Sequence, residues 1–177
     1  LAAGALELAR EVKRQNMYLW TQEMRSYQGR LQDILPAERL VIAVSVMDWT
    51  LEKMGPMQPG VVRDYVSVSM RAAHECVRSG AEELVLSDEI LDSWNDVDDQ
   101  ADEPGATHFM SAILGCADAP EGLSGEVLYG VLGFCYEAVR ERFEEQFGVG
   151  LGAELSSPQC GEAIAFQKSR IAYFLAG

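Results

Sequence analysis

Apolar residues recur every three or four positions along almost the whole chain, the spacing that turns one face of an α-helix toward a core. The first such run extends from Ala2 to Gln28, just before Gly29. Within and beyond it, Met17, Trp20, Met24, Tyr27 and Leu31 advance in 3-4-3-4 steps and form an apolar seam. A seam of this kind reads as an ordinary core face. If the helix projected from the body of the protein, the same seam would serve a homodimer. A second helix opens at Pro36, whose missing amide hydrogen is harmless in a first turn, and runs to Met54 before Gly55, Pro56 and Pro59. A third runs from Pro59 to Ser79 and stops at Gly80.

Periodicity places a fourth helix from Ala81 into an acidic stretch, a fifth from Ala106 to Cys116 and a sixth from Ser124 to Phe147. "GVGLG" at 148–152 reads as a flexible break. A last helix is capped by Ser156 or Ser157 with Pro158 in its first turn, and buries Ile164, Ile171, Phe174 and Leu175. No alternating run marks a strand and no fixed-period repeat appears. The pattern predicts an all-α, single-domain bundle of six or seven helices over residues 1–177.

Charge sharpens the picture. The 177 residues carry 28 acids against 14 Lys and Arg, a net charge of −14. That balance argues against a nucleic-acid or anionic-membrane partner, both of which require clustered bases. It favours a basic protein partner, a cation or simple solubility. The charge is also segregated: from Ser79 to Glu137 there is no Lys or Arg, while 14 acids fall in that span. The densest part is "SDEILDSWNDVDDQADEP", residues 87–104, with eight acids and no base.

Continued as a helix, this stretch puts Asp88, Asp92, Asp96, Asp99 and Glu103 on one stripe. Acids disfavour a helix C-terminus, however, so a helix restarted at Asp98 or Asp102 with an Asp cap, or a loop, is the simpler expectation. An EF-hand is excluded. Counting from Asp96, the sixth position is Ala101 rather than Gly and the twelfth is Thr107 rather than Glu. The segment "NDVDDQADE" resembles the second metal-binding motif of terpenoid synthases, with Asn95, Asp99 and Glu103 at the ligand positions. Asp99 stands where that family has Ser or Thr, and "DDQAD" is similar to its aspartate-rich motif. The resemblance implies magnesium and a diphosphate ligand. It covers fewer than ten residues, its two motifs overlap, and no base lies nearby in sequence to grip a diphosphate.

Other candidates are sparser. Asp48 lies one turn from Val44 and Leu51 and needs a partner such as Arg63, Arg71 or His74. His108 follows the acidic stretch and would be the nearest imidazole to a metal there. His74 and Glu75 form no HExxH pair, and no P-loop, GxSxG or GxGxxG occurs. Cys76, Cys116, Cys135 and Cys160 are widely spaced and read as buried thiols in a reducing compartment. The longest apolar run, Leu40–Met47, is far short of a membrane span. The opening "LAAGALELAR" has no basic segment and meets Glu7 early, so it does not read as a secretory signal. A cytoplasmic location is the default expectation.

Two functional readings follow. In the first, a non-enzymatic acidic helical protein, of immunity-like or regulatory-inhibitor type, docks a basic partner through Asp92, Trp94, Asp96, Asp98, Asp99 and Asp102, without a cofactor. In the second, a magnesium-dependent enzyme or phosphate-ligand binder uses Asp92, Asp96, Asp99 and Glu103.

Overall fold

The computed structural model describes residues 18–117, 119 and 122–176. Helix α1 spans Tyr18–Met24 and passes through two 3₁₀ turns, Arg25–Tyr27 and Arg30–Asp33, into α2, Pro36–Met54. Then come α3, Val61–Ser79; α4, Asp88–Asp98; α5, Ala106–Ala117; α6, Gly125–Arg142; α7, Glu144–Phe147; α8, Leu151–Ser156; and α9, Pro158–Leu175. Six of these helices are long, and α1, α7 and α8 are short. Among the described residues there is no strand, so the fold is all-α, and no helix is long and apolar enough to cross a membrane.

Helix α6 lies at the centre. It packs against α5, α2, α9 and the second 3₁₀ turn, and buries Leu128, Val131, Leu132, Phe134, Tyr136 and Val139. Two glycines set its closest approaches. A Cβ on Gly125 would lie 2.6 Å from Gln32 N, and one on Gly105 would lie 2.4 Å from Ala138 O. The apolar seam of the first helix faces the core as expected, with Trp20, Met24 and Leu31 buried and Tyr27 packed against them. Met17 and the expected helical residues 2–17 lie outside the described residues, as does most of the proposed dimer helix.

The α2–α6 junction turns on Arg39, a buried cation. Its Nε donates to Leu31 O at 3.1 Å, Nη2 to Gln32 O at 2.9 Å and Nη1 to Leu123 O at 2.6 Å. Gln32 Oε1 in turn accepts the first amide of α6, Gly125 N, at 2.8 Å. One planar fork thus joins the 3₁₀ turn, α2 and the entry to α6.

Several boundaries differ from the sequence expectation. The fourth helix does not begin at Ala81. Residues 83–86 alternate, with Leu84 and Leu86 buried and Val85 exposed, and the segment is tied down by Leu84 N→Cys116 O and Leu123 N→Glu82 O. The sixth helix stops at Arg142 because its last turn tightens: Phe143 N reaches back only to Arg140 O, and α7 restarts from Phe143. The "GVGLG" break is a defined turn in which Gly148 (φ +85°) and Gly150 (φ +93°) take backbone positions that other residues resist, and α8 then begins. Helix α2 and the caps at Gly80 and Ser157 match expectation.

Replacing Arg39 by Met would remove the side-chain donor from three backbone carbonyls, of which Leu31 O keeps the Ile34 amide. Arg39→Met is expected to cost about 3–5 kcal/mol in urea unfolding. Arg39→Lys should recover only part of this, because an ammonium cannot reproduce the fork.

Candidate functional site

The acidic stretch is a helix over Asp88–Asp98 and a turn and loop from residue 99 to residue 105, and no helix restarts at Asp98 or Asp102. Ser87 caps the helix, its hydroxyl accepting Ile90 N at 3.4 Å, and Asp88 and Glu89 sit favourably in the first turn. At the other end, Asp96 and Asp98 occupy a last turn that has no basic residue, and Asp99 is the C-cap. Those carboxylates oppose the helix dipole. Helix α4 rests on α3 and α5 through Val97, Ile90, Leu91 and Trp94, which leaves Asp88, Glu89, Asp92, Asp96 and Asp99 exposed on one outward stripe. Asp102, beyond the helix, is also exposed. Among the described residues none of these six acids forms an ion pair.

Two neighbours behave differently. Trp94 and Asp98 lie one turn apart and turn partly inward. Trp94 Nε1 and Asp98 Oδ1 are shielded from solvent without a hydrogen-bond partner among the described residues. Burial pushes the Asp98 carboxyl above the ordinary range. The Thr107 hydroxyl counters this in part, and the charge of Asp99 adds to the rise.

Glu103 is committed to the fold. Its Oε1 accepts Gln58 N at 2.7 Å and its Oε2 pairs with Arg142 Nη1 at 3.2 Å, while Arg142 Nε donates to Met54 O. The stripe therefore ends at Asp99, and Glu103 does not extend it, because the helix ends at Asp98. A base, Arg142, does stand beside the acidic segment, brought from α6 by the fold. Glu141 anchors the same corner, accepting Gly105 N at 2.9 Å and facing His108 Nε2 at 3.5 Å, so His108 is turned toward α6. Among the described residues no three His, Cys, Asp or Glu side chains are grouped so as to hold a metal ion.

Asp48 finds its partner in His74, one of the three considered: Nε2 lies 2.9 and 3.0 Å from the two carboxylate oxygens, linking α2 to α3 at the surface. Cys116, Cys135 and Cys160 are buried and Cys76 partly so. Burial raises the Cys116 and Cys160 thiols, which keeps them protonated and poorly nucleophilic.

One polar centre went unnoticed in the sequence. Glu154, 2% exposed, accepts Tyr136 Oη at 2.7 Å and the amides of Tyr18 and Leu19 at 3.2 and 2.9 Å. Beside it Arg140 bonds Glu137 at 2.8 Å and Glu144 at 2.9 Å. The cleft between Arg140, Phe143, Glu154, Ser157 and Cys160 has about 10 Å³ of room, enough for one water and too little for a substrate. The arrangement anchors α1. A lone acid in the small-residue run "GVGLGAELSS" was the available signal.

No family model, curated protein or solved structure matches this chain.

A carboxyl whose value is raised by folding binds more protons in the native than in the unfolded state as pH passes through that interval. Its charge therefore subtracts stability at neutral pH, and the loss disappears in acid. Asp98→Asn is expected to raise the melting temperature at pH 7, and the gain should vanish as pH falls below the ordinary carboxylate range.

Proposed function

We propose that this chain is a non-enzymatic helical binding protein whose outward α4 face docks a basic protein partner. The observation that carries this reading is the stripe of Asp88, Asp92, Asp96 and Asp99 on a short helix, without an ion pair among the described residues, with acids retained at the end where the dipole disfavours them. A residue set that lowers local stability at the surface is consistent with selection for a contact. Carboxylates repeated at one-turn intervals on a rigid element match arginines and lysines on a partner, and imitate the phosphates of a nucleic-acid backbone. An immunity-like or regulatory inhibitor that blocks a nucleic-acid-binding groove is the concrete form. Asp102 extends the charged rim, while Trp94 and Asp98 lie just beneath it, with Trp94 Nε1 and Asp98 Oδ1 shielded and without a hydrogen-bond partner among the described residues. Complementary charge of this kind speeds encounter and makes affinity fall with salt.

The test is titration with a lysine- and arginine-rich helical peptide, followed by tryptophan fluorescence. Saturable binding is expected, weakening as salt rises, and lost in Asp96→Lys/Asp99→Lys. The same charge change placed at the exposed Glu126 and Glu145 should leave it intact. Equal losses from both pairs would reduce the effect to net charge and end the reading. A magnesium-dependent thermal shift lost in Asp99→Asn would instead favour the metal-using alternative.

A further inference from the structure

We infer that α1 is an exchangeable arm, and that its seat against α6, α8 and α9 takes the α1 of a second copy of this chain in a closed dimer. The inference uses none of the α4 residues. Seven residues are too few to hold a helix in water, so α1 owes its form to what it docks on. The Trp20 ring centroid lies 4.7 Å from that of Tyr129 and 6.4 Å from that of Tyr136, and the indole N–H donates to Gln167 Oε1 at 2.8 Å. Glu154 on α8 takes the amides of Tyr18 and Leu19, and Glu23 pairs with Lys168 on α9.

The arm ends at a hinge. Residues 25–30 are exposed apart from Tyr27, and the backbone bond that Gln28 N makes is local, to Arg25 O. Firm anchorage resumes one residue later, where Arg39 holds Leu31 O and Gln32 O. Helix α1 and the hinge can therefore swing out together, Tyr27 with them, and leave that fork in place. Opened out, the six hinge residues span about 20 Å. Short connections of this kind invite exchange between identical chains.

The seat names its occupant. Glu154 and Gln167 are 2% and 1% exposed. With the arm away, the Glu154 carboxylate keeps only the Tyr136 hydroxyl of the three donors it has among the described residues, and Gln167 Oε1 loses the indole. Buried acceptors stripped of their donors are costly, which favours refilling. What refills the seat must present two successive amides, an indole on the next residue and a methionine four further on, as "YLWTQEM" does. A second copy carries that segment and offers its own empty seat in return, so the exchange is reciprocal and closes at two chains. Every native contact of the arm, the Glu23–Lys168 pair included, reforms between the chains. The charge of −14 per chain then acts only as a longer-range repulsion, which salt screens.

Refolding of the full chain from urea, from micromolar to near-millimolar concentration, followed by sedimentation velocity, tests this. A dimer should grow with the concentration at refolding and persist on dilution, because its arms must open before the chains part. It should increase in about 1 M salt, where the Debye length is about 3 Å. Glu23→Cys and Lys168→Cys, refolded together and treated with a short bis-maleimide, should cross-link to one another. Each variant treated alone accounts for Cys76, the native thiol that is not fully buried. Glu23→Cys/Lys168→Cys refolded at low concentration should link within one chain, which shows that the pair is in reach and that the variants fold. A wild type that stays monomeric at every refolding concentration overturns the inference, as does a dimer that carries no cross-link between its chains.

Discussion

A single buried guanidinium determines whether the centre of this fold can close. Arg39 is 5% exposed, and the partners of its three donating nitrogens are backbone carbonyls. Removing a cation from water is costly, and burial lowers the Arg39 value accordingly, yet guanidinium remains charged over the whole working range. Three oriented carbonyl dipoles offset that cost, and each charge-assisted bond is stronger than a neutral one. The same bonds fix the distance between the 3₁₀ turn and the start of α6, where Gly125 alone allows the backbones to meet. Every helix packed on α6 inherits its position from this corner.

The contrast between α6 and α4 explains where chemistry can be carried. Helix α6 is buried nearly all round, and polar groups on it are matched internally, as Tyr136 is by Glu154 and Arg140 by Glu137 and Glu144. Helix α4 has one buried residue, Val97, and all its carboxylates but Asp98 are left to solvent. Elements with few buried contacts open at lower free energy than the core. The corner formed by Glu103, Gly105, Glu141 and Arg142 limits this by fastening the exit of α4 to the end of α6.

Local punctuation made much of the fold legible. Pro36, Gly55, Gly80 and the Ser157–Pro158 pair mark ends that depend on backbone geometry alone, and they stand where expected. The run 83–86 was missed because two buried leucines around one exposed valine are too short an alternation to rise above helical periodicity. The outward stripe on α4 was readable as far as Asp99, since four-residue spacing fixes a helix face. Its end was not, because Glu103 is claimed by Arg142 and by the amide of Gln58, partners 39 and 45 positions away. Arg39 and Glu154 carried no sequence signal of comparable strength. Their roles arise from what the fold brings around them.

Glu154 and Gln167 have a further consequence for how the chain is made. The amides of Tyr18 and Leu19 and the indole of Trp20 are satisfied by side chains 136, 135 and 147 positions later, and Gln167 also ties Trp20 to Leu132 O at 2.9 Å. During synthesis at about 5–20 residues per second, those partners follow roughly 7–30 s after α1 itself. Through that interval Trp20 and Met24 have no final place, and the apolar seam is open to whatever binds nascent chains. Vectorial emergence therefore delivers α1 well before the α8 and α9 side chains that fix it.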